Sequence, residues 1–68
     1  MTVEALKVAA KSDAARKHKL RFRIRTGWAM HGNVRCAFYP DCHRWAYFVA
    51  GRGAVNRADV EPLLGSRA

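Results

Sequence analysis

Between Leu20 and His31 the chain alternates strictly. Leu20, Phe22, Ile24, Thr26, Trp28 and Met30 hold the even positions; Arg21, Arg23, Arg25, Gly27, Ala29 and His31 hold the odd ones. Period-two alternation predicts a strand over 20–30, with its apolar row on a core. A three-residue turn, His31, Gly32 and Asn33, should follow, since Gly and Asn both tolerate positive φ. "VRCAFY" at 34–39 is the second expected strand, and "RWAYFVA" at 44–50 is the third. "PDCH" between them has the residues of a turn. "GRG" at 51–53 should end the sheet.

The pairing of these strands can be checked for consistency. Closing the second hairpin around "PDCH" sets Tyr39 opposite Arg44, Phe38 opposite Trp45, Cys36 opposite Tyr47 and Val34 opposite Val49. Closing the first around "HGN" sets Met30 opposite Val34, Trp28 opposite Cys36 and Thr26 opposite Phe38. All apolar sets then share one face. A slip of one residue would turn every side chain of a strand to the other side.

Residues 2 to about 17 read as a helix. Thr2 can cap it and Glu4 suits its positive end. Val3, Leu6, Ala9 or Ala10, and Ala14 recur at helical spacing, and Arg16, Lys17, His18 and Lys19 crowd the C-terminal end. Ser12 and Asp13 are weaker helix formers and admit a break. "NRADVEPLL" should form a short helical turn, with Asn56 as N-cap, Asp59 at N3 and Pro62 limiting its length. Val60, Leu63 and Leu64 would dock it on the core, and "GSRA" should fray. The expected fold is α+β in a single domain, 1–68. An N-terminal helix packs on a three-stranded antiparallel meander, followed by a short C-terminal helical turn.

Composition narrows the function. A chain of 68 residues buries only about 60% of its unfolded surface and leaves little room for a deep cleft. Half its residues are hydrophobic, enough for a core. Thirteen Lys and Arg, nine of them Arg, oppose five acids, for a net charge of +8. This balance points to an acidic partner: a nucleic acid, a nucleoprotein or an acidic protein surface. No apolar run approaches the ~20 residues of a membrane span. The charged N-terminus lacks a signal core. Two cysteines make no disulfide framework. The expectation is a soluble cytoplasmic protein with no membrane partner.

The same register assigns an outer face to the sheet. Arg21, Arg23, Arg25, Arg35, Tyr39, Arg44 and Phe48 would lie there, with Ala29, Ala37 and Ala46 between them. Guanidinium groups pair with phosphates and rings stack on bases, so this set suits a nucleic acid. Arg and Tyr are also enriched in protein interfaces, and a solvated polar face would use the same residues. Edge pairing of the long first strand would give a dimer, and without it a monomer is expected.

His31, Cys36, Cys42 and His43 raise a zinc site. Cys36 falls in mid-strand on the core side, whereas Cys42 and His43 fall in a distant turn, and the cysteine spacing is not that of a zinc knuckle. Cys36 and Cys42 are not opposite each other in the hairpin, so no disulfide is expected. Cys42 and His43 are neighbours in sequence, which is not how a nucleophile and its base meet. No Gly-rich phosphate loop is present. Neither a metal, a cofactor nor an enzymatic activity is expected.

Two resemblances bear on function. "TVEALKVAA" and "VNRADVEPLL" resemble the opening helix and the post-wing element of excisionase-type winged DNA-binding proteins. That would imply a small DNA- or RNA-binding regulator. No second helix fits between Ala15 and Leu20, so no recognition residues carry over. In size, charge and architecture, one helix beside a three-stranded meander, the chain is also similar to small phage-encoded inhibitors of the anti-CRISPR type. That would imply a non-enzymatic protein that binds a host nucleoprotein complex, such as a CRISPR surveillance complex. It would block nucleic-acid binding or nuclease recruitment through the arginine face.

Overall fold

The structure, a computed structural model, describes residues 2–64. Helix α1 spans Val3–Lys19. The Thr2 hydroxyl accepts a hydrogen bond from the Ala5 N–H at 3.1 Å, as an N-cap does. The helix runs unbroken through Ser12 and Asp13. Val3, Leu6, Ala10 and Ala14 form its buried stripe, and Ala9 stays outside.

The C-terminal cap of α1 sets the path of residues 20–22. Arg21 takes a φ of +62°, its N–H bonds the His18 carbonyl, and the Phe22 N–H reaches back to the Lys17 carbonyl, both at 3.0 Å. These two bonds make a Schellman cap, with Arg21 in the left-handed position that usually holds Gly. Residues 20–22 therefore close the helix and do not begin a strand. The expected strand over 20–30 is shortened to β1, Gly27–His31.

Strands β2 (Val34–Tyr39), β3 (Arg44–Val49) and β4 (Gly53–Val55) complete the sheet. Four strands lie in the order β1-β2-β3-β4, all antiparallel, one more than the sequence suggested. The fourth arises because "GRG" reverses the chain instead of ending the sheet. Gly51 and Gly53 have φ of +83° and +79°, a turn only glycine makes cheaply, and Val55 is returned beside Tyr47. Helix α2, Arg57–Leu64, closes the described chain.

The β2–β3 register is as expected: Val34 faces Val49, Cys36 faces Tyr47, Phe38 faces Trp45 and Tyr39 faces Arg44. The β1–β2 register is not. Gly27 faces Phe38, Trp28 faces Ala37, Ala29 faces Cys36 and His31 faces Val34. The connection is the two-residue turn Gly32–Asn33, with Gly32 at φ +60°. One residue fewer in the loop slips the pairing by one and inverts β1. Gly27 and Ala29 face the helices, while Trp28 and Met30 face outward, 40% and 62% exposed.

Packing explains why the inverted strand wins. A Cβ on Gly27 would stand 1.9 Å from the Ala10 carbonyl oxygen and 2.9 Å from the Ala14 methyl. Here α1 lies directly on the β1 backbone, a seam that a Trp28 or Met30 side chain could not enter. Two polar contacts fasten it. Asp13 accepts from the Trp28 N–H at 2.9 Å, and the Lys17 ammonium donates to the Thr26 carbonyl at 2.8 Å. These groups lie on the edge of the sheet, so α1 itself covers part of β1's free edge.

The core lies between the sheet and the helices. Val3, Leu6, Ala10 and Ala14 meet Val34, Cys36, Phe38 and Val49, with Val60 and Leu64 of α2 closing one end. Trp45 packs on Phe38 at 4.8 Å between ring centroids and donates its indole N–H to the Lys7 carbonyl at 3.3 Å. The Lys7 ammonium sits 4.3 Å from the centre of that ring. Asp59 accepts from the Asn56 N–H at 3.1 Å at the start of α2. Arg57 pairs with Glu61 and with Glu4 of α1. Leu63, expected in the core, is 52% exposed; Val60 and Leu64 point inward instead. The expected fraying of "GSRA" lies outside the described residues.

Candidate functional site

The outer face of the sheet is the surface the helices leave uncovered. On β2 and β3 it carries Arg35, Tyr39, Arg44 and Phe48, at the positions the sequence assigned, with Ala37 and Ala46 between them. Arg21, Arg23 and Arg25 do not extend that array, because β2 ends at Tyr39 and Pro40 and offers residues 20–25 no neighbour to pair with. Ala29 faces the core side. The inverted β1 contributes Trp28 and Met30 instead, both of which the sequence had placed in the core.

This substitution changes the character of the face. The Trp28 and Phe48 rings reach toward each other across β2, with centroids 5.7 Å apart and planes inclined by 35°. Ala37, opposite Trp28 in register and diagonal to Phe48, is fully buried although it belongs to the outer face. A small residue on the central strand thus lets two rings from its neighbours close into one platform. Arg35 stands opposite both Met30 and Phe48, and Arg44 opposite Tyr39. At the Tyr39 end, Arg23 and Arg25 return to the site from the loop side. They line a shallow recess of about 280 Å³ with Thr26, Tyr39, Pro40 and Asp41.

The strands carry charge of one sign, and Asp41 is the acid that lines the recess at their Tyr39 end. No strand contains an Asp or Glu. Asp13 is engaged by Arg16, Lys17 and the Trp28 N–H, Glu4 and Glu61 by Arg57, and Asp59 by the Asn56 N–H. The Trp28 N–H is the largest influence holding the Asp13 carboxyl below its ordinary range; partial burial opposes it, and Lys17 and Arg16 add to it. Among the described residues, Arg21, Arg23, Arg25, Arg35 and Arg44 form no ion pair.

The sulfur and imidazole groups do not converge. Cys36 is fully buried, and burial pushes its thiol up to about 11, so it stays protonated and unreactive. Cys42 is exposed in the β2–β3 turn, and the ring of His43 packs on Phe38 at 6.0 Å. No group of three or more His, Cys, Asp or Glu side chains able to hold a metal ion occurs among the described residues. No helix among them is long and apolar enough to cross a membrane.

No protein-family model matches the chain, and no curated protein or solved structure matches it.

The pairing of Trp28 with Phe48 was hidden in the sequence by a single loop residue. The signal that could have found it is Gly27. A glycine in the middle of an apolar alternation marks a close backbone approach, and it identifies the odd positions as the helix side.

Proposed function

We propose that the protein binds single-stranded nucleic acid on the outer face of its sheet. The observation that supports this most is the Trp28–Phe48 platform on a sheet free of carboxylates. A base stacks on such rings whatever its sequence, and arginines beside them bind the phosphates. An open sheet face suits unpaired bases, which can be laid on its rings, better than a duplex, whose bases are stacked inside. The function so assigned is binding, without chemistry on the bound strand.

The test is fluorescence anisotropy with labelled oligo(dT) and oligo(U) of about 12 nucleotides, within the site sizes of sheet-based binders. Micromolar or tighter binding is expected, weakening steeply between about 50 and 200 mM salt. Trp28→Ala should weaken it about 5–100-fold, the loss of one stacked base. Arg35→Gln and Arg44→Gln should each lower the salt slope by about 1. Absence of binding at low salt, or unchanged affinity in Trp28→Ala, would overturn the proposal.

A second reading is favoured by a different observation. Leu20, Phe22 and Ile24 are 56%, 52% and 73% exposed beside unpaired arginines. On this reading the protein docks on an acidic protein or nucleoprotein complex and blocks its nucleic-acid binding or nuclease recruitment, as an anti-CRISPR-type inhibitor would. Pull-down of a type I CRISPR surveillance complex together with an interference assay tests it. Normal interference without a stable complex would remove it.

A further inference from the structure

We propose that Phe22–Arg25 is a docking strand, which adds to the free sheet edge of an acidic protein. The proposal rests on the second reading, docking on an acidic partner, and names that partner's chemistry and the mode of contact.

The segment is a strand pattern without a sheet. It belongs to no regular element, and among the described residues the backbone groups of Arg23, Ile24 and Arg25 make no hydrogen bond. The Schellman cap of α1 ends on its first residue, and the Lys17 contact to the Thr26 carbonyl begins just past its last. Both ends are thus held, and the groups between are free. The chain bends at Arg23; straightened on a partner edge, the four residues would span roughly 13 Å. When this backbone is extended, Phe22 and Ile24 fall on one side, Arg23 and Arg25 on the other. Strand addition uses these features: the main chain supplies affinity and alternate side chains supply specificity. The contact stops at Arg25, because Asp13 and Lys17 already occupy the β1 edge at Trp28 and Thr26.

The choice of partner rests on charge and chemistry. A second copy would bring more arginines to the arginine row, while four of its five acids are already engaged within the fold. A nucleic acid could meet the arginines, but it has no ladder of alternating amide and carbonyl groups. It also has no apolar pocket for Ile24. An acidic protein edge supplies all three.

The probe is a cyclic β-hairpin peptide whose one free edge alternates Glu and Val, compared with poly-Glu of equal length. Calorimetry measures binding, and amide hydrogen exchange locates it. The hairpin should slow exchange at Arg23, Ile24 and Arg25 about tenfold or more. Ile24→Pro, which removes one of the donors, should weaken hairpin binding at least about tenfold. Phe22→Ser with Ile24→Ser keeps the donors, and should weaken the hairpin but not poly-Glu. Equal binding of both probes without amide protection would overturn strand addition, while an acidic partner would stand. Binding of neither would remove the second reading as well. Protection of the same amides in a self-associated protein without peptide would assign the strand to a second copy and overturn the proposal.

Discussion

Two stretches of this chain carry the same alternation and meet opposite fates. From Val34 to Val49 every apolar set finds a partner strand, and the alternation becomes a core face and an outer face. From Leu20 to Arg25 both rows remain exposed. The difference lies in what stands beside each stretch. β2 and β3 are equal in length and joined by a turn, so each supplies the other's hydrogen bonds. The 20–25 stretch runs past the end of β2, where Pro40 turns the chain away, and its first residues are taken by the helix cap. Alternation specifies which way side chains point in an extended chain. It does not supply a neighbour.

The comparison can be broken at matched aromatic positions. Phe38→Ala removes a ring from the core and should cost about 3–5 kcal/mol by urea unfolding. Phe22→Ala should change stability by less than about 0.5 kcal/mol. Equal costs would mean that 20–25 is packed after all. Next in size is Gly27→Ala, expected to cost about 2–3 kcal/mol because the new methyl collides with α1. Gly32→Ala has open space around it and meets only the positive φ, so it should cost about 1 kcal/mol.

Asp13→Asn weakens the clamp on β1 and should cost about 1 kcal/mol at neutral pH. The folded carboxyl titrates below its unfolded value, so its contribution is fully present above the ordinary carboxylate range near about pH 4. It is lost as pH falls through the folded value. The gap between wild type and Asp13→Asn should therefore close in acid, which melting curves against pH will show. The last expected effect runs the other way. Arg21→Gly, at the left-handed cap position, should stabilise the protein by about 0.5–1 kcal/mol. A loss of stability would return residue 21 to a strand.

Most of the fold was legible in the sequence, and the limits were local. The α1 stripe, its Thr2 cap, the β2–β3 register and the Asn56–Asp59 capping contact arise from short-range patterns. β4 was missed because two glycines read as a stop when they make a turn. β1 is inverted relative to its pattern because a three-residue and a two-residue loop both fit "HGN", and the bulkier apolar row favours the longer loop. Arg35, Tyr39, Arg44 and Phe48 kept their face because their hairpin kept its register. The Arg21, Arg23 and Arg25 row failed because it depended on a partner strand that no local pattern can guarantee.

The absence of carboxylates from the sheet has a kinetic consequence. A polyanion approaching the molecule meets arginines across the strands, with Asp41 confined to the recess at one end, so encounter there is accelerated before any specific contact forms. Screening shortens that reach to about 8 Å at physiological salt. The rings of Trp28 and Phe48 act only at contact and are largely indifferent to screening. Arginines should therefore set how fast a strand arrives, and the platform how long it stays. Measured separately, the two rate constants would divide between charge and stacking along the same residues that divide the face.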